Sequence, residues 1–253
     1  MMPGLRGKRA LVTGGSRGIG AATAELFAEH GVHVAIGYRT RRSDADALVA
    51  SLRTAHGVTA VAHAADISSR QGADELVERA ASALGGLDFF VGNAGIWPCD
   101  DVALGDMSDE QWRRTMAENV DSVFFTTRAA IRRIADHGRI VLVSSTAGQR
   151  GEAYHSDYAA SKGAMISFVK SLAPELGRRG VTVNSVAPGW VDTEMCAQSL
   201  AEGGRERIAA SIPIGRVAAP RDIAGPIIFL CSELARHVTG EILNVNGGSV
   251  LCG

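Results

Sequence analysis

The chain has little lysine, little proline, few cysteines, no excess charge of either sign and no long hydrophobic run. Its 26 basic residues balance 27 acidic ones, for a net charge of −1. That balance excludes a broad electrostatic footprint for nucleic acid or an anionic membrane surface. The four cysteines stand at 99, 196, 231 and 252, with no Cys-x-x-Cys pair and no metal-ligand spacing. Free thiols in a reducing, cytoplasmic compartment and no metal site are the expectation. No apolar run approaches the ~18 residues a membrane-spanning helix needs. The stretch Met1 to Arg9 has no apolar core of the kind a signal peptide carries. Against these scarcities stand 30 glycines, beside only 7 prolines. Glycine at that level, outside low-complexity sequence, points to sharp turns and to places where backbone closely approaches something else.

The length of 253 residues, with 46% hydrophobic and 21% charged residues, suits one globular domain spanning 1–253. Seven short runs rich in Val and Ile read as strands: 10–13, 32–36, 58–62, 87–91, 139–144, 181–186 and 242–245. Each is nearly continuous in hydrophobicity, as expected of strands buried on both faces of a parallel sheet. Between them lie helical patterns at 19–29, 45–54, 74–84, 112–134 and 157–177, and another beginning at Pro220. Ser108 with Asp109 and Glu110 makes a helix start, Gly177 a helix stop, and Pro174 is expected to bend its helix or end it early. Regular alternation of strand and helix predicts an α/β fold, a single doubly wound Rossmann-type domain. Its sheet would have seven parallel strands, with helices on both faces.

The first strand runs into Thr13-Gly14-Gly15-Ser16-Arg17-Gly18-Ile19-Gly20 and then a helix. In such a turn, backbone N–H groups and a helix N-terminus can face a pyrophosphate with no Cβ in the way. Gly20 would also let the helix pack tightly on the sheet. An acidic residue at the end of the second strand would suit the free ribose of NAD. Here that strand ends Gly37-Tyr38-Arg39-Thr40-Arg41-Arg42, with no carboxylate before Asp44. Arg39, with Arg17 from the turn, suits a 2′-phosphate, so NADP is expected in preference to NAD.

The fifth strand ends in Ser144-Ser145, and Tyr158-Ala-Ala-Ser-Lys162 follows. Tyr158 and Lys162 stand at i and i+4 of a predicted helix and so share a face. A phenol near pKa ≈ 10 is a poor acid–base catalyst at neutral pH, and a nearby ammonium would lower that value. A serine hydroxyl at the strand end could hold a substrate oxygen beside it. Ligands of open α/β sheets bind beyond the carboxyl ends of the strands, where the Gly14–Gly20 turn, Asn93 and Ser145 all fall.

With these motifs in this order, the chain resembles the short-chain dehydrogenases/reductases over nearly its full length. The resemblance rests on Thr13-Gly14-x-x-x-Gly18-x-Gly20, Asn93-Ala94-Gly95, Asn119, Ser145, Tyr158-x-x-x-Lys162 and Pro188-Gly189. It implies NADP-dependent interconversion of a ketone and a secondary alcohol. Tyr158 would be the general acid or base, Lys162 would lower its pKa and hold the nicotinamide ribose, and Ser145 would orient the carbonyl. Asn119 would lie in an interrupted helix and support a proton relay. Around the cofactor it implies Ser16 and Ile19 in the turn, Asp66 and Ile67 near the adenine, and Asn93, Ala94 and Gly95. Pro188, Gly189, Val191 and Thr193 would complete the set. Asp66 could equally be a helix cap. One departure is Gly92, where the family often has an asparagine.

Within that resemblance two substrate classes compete: 3-oxoacyl groups on an acyl carrier protein, and polyols, sugars or cyclic alcohols. Arg179 matches a basic position used for the acidic carrier, but a second such position is Asp136. A non-catalytic dinucleotide sensor is the remaining alternative, disfavoured by the intact Asn119, Ser145, Tyr158 and Lys162. The pocket wall is expected from Ile96-Trp97-Pro98, from 149–155, and from Trp190 with 195–212; Glu194 to Ser211 resembles a mobile lid. The resemblance also implies a homotetramer, joined through helices 112–134 and 157–174 and through the terminal segment 240–253.

Overall fold

The structure, a computed structural model, describes residues 2–251. The elements run β1 (Arg9–Thr13), α1 (Gly18–Glu29), β2 (His33–Tyr38), α2 (Arg42–His56), β3 (Ala60–Ala64), α3 (Arg70–Leu84) and β4 (Leu87–Gly92). Then come α4 (Asp109–Met116), a π-helical turn (Ala117–Asp121), α5 (Ser122–Arg133), β5 (Ile134–Val143), α6 (Ala147–Arg150) and α7 (Ser156–Leu176). The chain continues with β6 (Thr182–Pro188), α8 (Ala197–Leu200), α9 (Gly204–Ala210), α10 (Pro220–Cys231) and β7 (Ile242–Val245). All seven strands are parallel, in the order β3-β2-β1-β4-β5-β6-β7. This is the doubly wound sheet that the alternation predicts. Its order reverses between β1 and β4, so the crevice for a ligand opens at the carboxyl ends of those two strands.

Each central strand feeds two cores because successive side chains point to opposite faces. Ala10 and Val12 of β1, Phe89 and Val91 of β4, and Val141 and Val143 of β5 join α1 and α10 on one face. Leu11, Phe90, Ile140 and Leu142 join α3, α5 and α7 on the other. All ten are buried, which explains the unbroken hydrophobic runs in the sequence. A third, small cluster of Leu200, Ile208, Ile212 and Val217 stands apart from both, with Trp190 and Cys196 against it. It holds together the segment after β6 that lies over the crevice.

Three local expectations change. Pro174 does not end its helix early: α7 runs through it to Leu176 and passes into a 3-10 turn, Gly177–Arg179. Proline removes one N–H, which leaves the carbonyl four residues back without its helical partner; that residue, Lys170, is exposed. The stop comes at Gly180, with φ of 65°, rather than at Gly177, which keeps helical φ/ψ. The helical run over 112–134 is broken at a π-helical turn, as the resemblance implies, but β5 begins at Ile134 rather than 139, with a register shift against β4 between Leu87 and Phe89. No helix among the described residues is long and apolar enough to cross a membrane. Cys252 and Gly253, part of the expected terminal contact, lie outside the described residues.

Candidate active site

A cleft of about 290 Å³ runs across the carboxyl ends of the strands. Of the expected cofactor residues, it is lined by Gly14, Ser16, Arg17, Gly18, Ile19, Arg39, Asp66, Ile67, Asn93, Ala94 and Gly95, and also by Tyr158, Lys162, Pro188, Gly189, Val191 and Thr193. Gly20 is not on its surface; it sits one layer back. A Cβ there would lie 2.2 Å from the Gly14 carbonyl oxygen, so α1 approaches the turn as closely as only glycine allows. Asn93 fixes the same turn, its Nδ2 donating to the Thr13 and Gly14 carbonyls at 3.1 and 3.2 Å. Thr13 Oγ1 in turn accepts from the backbone N–H groups of Asn93 and Ala94 at 3.0 and 3.1 Å. Sequence reading missed Thr13 as the stitch between β1 and the loop after β4.

The basic cluster is in place but not free. Arg39 pairs with Glu118, and Arg17 and Arg41 both pair with Glu194, the latter at 2.7 Å. Arg41 lines the cleft although only Arg17 and Arg39 were expected there; Arg42 turns away toward Asp46 on α2. Glu118 and Glu194, both on the cleft wall, were missed as well. Asp66 does double duty, facing the cleft while its carboxylate accepts from the Ser68 N–H and hydroxyl. Those bonds hold it below the usual carboxylate range. The cap of α3 is Ser69, whose hydroxyl accepts from the Gly72 N–H.

Asn119 lies in the π-helical turn, fully buried, so the expected interruption of the helix is present. Its side chain does not reach the cleft surface. Oδ1 accepts from the Ile96 N–H at 2.7 Å, and Nδ2 donates to the Ile96 carbonyl and the Ser161 hydroxyl at 2.9 and 3.0 Å. The side chain is thus spent on pinning the loop after β4 to α7. A Cβ on Gly95 would lie 2.9 Å from Asn119 Oδ1 and 3.4 Å from Lys162 Nζ, which explains that glycine. Buried Asp157 accepts from Thr115 at 2.7 Å and from Gln111, locking α4 to α7 beside Tyr158; nothing in the sequence pattern singles it out.

The side chains of Ser145 and Tyr158 face the same space, both lining the cleft, and the Ser145 hydroxyl also accepts from the Ala147 N–H at 3.1 Å. Lys162 is buried, and its Nζ donates to the Val143 carbonyl at 2.9 Å and lies 5.8 Å from the Tyr158 ring centroid. A second cavity of about 250 Å³ adjoins the cleft, and the two share Ser145, Tyr158, Gly189, Met195 and Cys196. The Ser–Tyr pair therefore stands where a long crevice meets a compact chamber.

The chain matches, over residues 14–249, the family model described as enoyl-(acyl carrier protein) reductase. It is 41% identical to a 3-oxoacyl-[acyl-carrier-protein] reductase of Vibrio cholerae, covering 96% of this chain and 98% of that one. It is 39% identical to an L-rhamnose 1-dehydrogenase (NAD(P)(+)) of Azotobacter vinelandii, covering 95% and 96%. A short-chain dehydrogenase of Burkholderia cenocepacia, solved in complex with NADP, superposes with a TM-score of 0.91 at 38% identity, covering 97% and 98%. The chain belongs to the short-chain dehydrogenase/reductase family. As a member it is an NAD(P)-dependent oxidoreductase.

At Tyr158 and Lys162 the proton balance departs from expectation. Burial pushes the Tyr158 phenol well above its ordinary range; the nearby Ser145 hydroxyl only partly opposes this, and Glu152 and Cys196 add to it. The lowering expected from Lys162 does not prevail, because burial pushes Lys162 itself down to about 8 and its hydrogen bond goes to the backbone. The chain by itself thus keeps the phenol protonated at neutral pH, ready to donate.

The lysine has a consequence for stability. Its folded pKa lies below its unfolded one, so the folded state releases the proton first. The burial cost is complete below pH 8 and fades as pH rises toward the unfolded value near ~10.4. Lys162→Met is therefore expected to leave the melting midpoint near pH 7 level or higher. The difference, wild type minus variant, then grows more positive as pH rises from about 7 to 10. Thermal scans at several pH values check this, and a variant several degrees less stable near pH 7 contradicts it.

Proposed function

We propose that the protein interconverts a ketone and a secondary alcohol with NADP, acting foremost as a carbonyl reductase. What carries the reading is the placement of Ser145 and Tyr158 together at the junction of the two cavities. The residues present fit a dinucleotide. Gly14 and Gly18 have φ of 62° and 54°, and Asn93 holds the turn open at the N-terminus of α1, which has no acidic residue in its first turn. The Gly14–Gly20 turn would hold the pyrophosphate, Asp66 and Ile67 the adenosine end, and Val191 and Thr193 the nicotinamide end. When bound, the nicotinamide supplies or takes up a hydride. The chain does the rest. The Ser145 hydroxyl orients the carbonyl oxygen, and Tyr158 Oη gives that oxygen a proton. Lys162 holds the ribose, and Asn119 supports the path by which Tyr158 is reprotonated.

Arg17, Arg39 and Arg41 are the natural partners of a 2′-phosphate, and solved relatives carry NADP or NADPH. Their pairing with Glu194 and Glu118 means a phosphate must displace or share those carboxylates. The test is kcat/KM for NADPH against NADH with one ketone: at least about a tenfold preference for NADPH is expected, ~1.4 kcal/mol. A clear NADH preference overturns the NADP reading.

The Vibrio cholerae relative makes 3-oxoacyl thioester reduction one substrate class for this site, and the Azotobacter vinelandii relative makes a sugar the other. For a carrier protein the structure offers less than the sequence. Arg179 is spent on Asp136 and on the carbonyls of Ile131 and Ile134, at 2.9, 2.9 and 2.5 Å, closing the end of α5. A homotetramer in the cytoplasm completes the reading. It is supported by exposed Trp112 and Phe124 on α4 and α5, the helices expected at the interface. Light scattering giving the mass of four chains checks it, and a monomer refutes it.

A further inference from the structure

We propose that the substrate is a compact cyclic ketone carrying a hydroxyl beside the reacting carbon, bounded by Trp97 and Trp190 and hydrogen-bonded by Glu152. This rests on the reading above and narrows it. The chamber beyond the Ser145–Tyr158 pair is small, about 250 Å³, and is lined by Trp97 and Trp190, whose rings stand 5.9 Å apart at 89°. The Trp97 indole is stacked on the buried His155 ring at 4.9 Å and 20°, which makes it a fixed wall. Two indoles at right angles form a corner. Such a corner accepts the C–H face and edge of a saturated ring, whereas a thin acyl chain would leave much of both surfaces uncovered.

The same chamber holds Glu152, Arg150 and Ser249. The Glu152 carboxyl has no hydrogen-bond or ion-pair partner among the described residues, although it is half-buried. A carboxyl that faces the chamber with no protein partner is free to accept a hydrogen bond from a ligand hydroxyl. Burial pushes it above the usual carboxylate range. As a carboxylate it offers acceptor oxygens to that hydroxyl. Arg150 on the same wall works against a cationic ligand, and a simple 3-oxoacyl chain brings no hydroxyl to Glu152. A site built to bond a hydroxyl rejects the analogue that lacks it, because its own polar group is left unpaired.

The experiment measures NADPH-dependent reduction by the full chain. The ketones are 2-hydroxycyclohexanone, cyclohexanone, acetoacetyl-N-acetylcysteamine and N-methyl-4-piperidone. The hydroxyketone is expected to exceed cyclohexanone in kcat/KM by at least about tenfold. Glu152→Ala is expected to collapse that ratio toward one, while Glu152→Gln, which retains an acceptor oxygen, keeps most of it. Trp97→Ala is expected to lower kcat/KM for both rings by about tenfold. A merely structural role for Glu152 would move both ketones alike and leave the ratio intact, which overturns the proposal. So does a thioester or an amino ketone that outruns the hydroxyketone; in that case NADP-dependent reduction stands and only the substrate class falls. No turnover of any of the four, with NADPH or NADH, overturns the carbonyl-reductase reading too.

Discussion

Tyr158→Phe is expected to lower kcat for carbonyl reduction by about 10²–10⁴-fold, the range a positioned general acid contributes. NADPH affinity is expected to stay within about twofold. The two readouts separate because the substitution removes one oxygen and no wall. The Phe ring keeps the cleft surface, and Lys162 keeps its bond to the Val143 carbonyl, which does not involve the phenol. What goes is the phenolic hydroxyl at the junction of cleft and chamber, beside Ser145. The Ser145 hydroxyl is left to orient a carbonyl that receives no proton. Single-turnover rates with saturating NADPH, alongside fluorescence titration of NADPH, measure both quantities. Near-normal kcat in the variant would remove Tyr158 from the chemistry.

Gly20→Ala is expected to weaken NADPH binding by at least about tenfold and to cost about 1–3 kcal/mol of stability, the range for forcing extra volume into a packed site. The added Cβ meets the Gly14 carbonyl oxygen at 2.2 Å and Asn93 Nδ2 at 2.7 Å. Neither neighbour is the free end of a flexible side chain. The first is backbone of the turn itself, and the second is the amide that ties that turn to β4's end. Relief must come from moving the turn, and with it the N–H groups at the start of α1. Gly105→Ala is the control: its Cβ would meet nothing within 4 Å and its φ is not positive, so affinity and stability are expected to hold. Wild-type NADPH affinity in Gly20→Ala would mean that the turn does not seat the cofactor.

The parts of this site that were legible in the sequence are those where local chemistry and spacing coincide. Tyr158 and Lys162 share a helix face by their i, i+4 spacing, and the glycines of the turn are required within a few residues of one another. The arginine partners are different. Arg17 finds Glu194 across 177 positions and Arg39 finds Glu118 across 79. No pattern in a linear chain selects those carboxylates over the other acidic residues. The same holds for Arg179, which reads as a free surface charge until α5 is seen to end against it. Asp157 is one step from Tyr158 in sequence, yet its significance depends on Thr115 and Gln111 of another helix.

The sequence by itself determined the doubly wound parallel sheet and the family, and it made the glycine-rich turn and the Tyr158–Lys162 spacing legible. Continuous apolar runs can be buried only on two faces, and the motifs are short enough to be read without their surroundings. Only the tertiary structure decided which charges are already spent, that burial rather than Lys162 governs the Tyr158 proton, and that two tryptophans make a corner. Those properties arise from desolvation and from contacts between distant segments, and both exist only once the chain has closed on itself. The scarcity of lysine belongs to both accounts. In the sequence it draws notice to Lys162. In the fold that lysine proves to be buried, bonded to backbone and shifted to about 8.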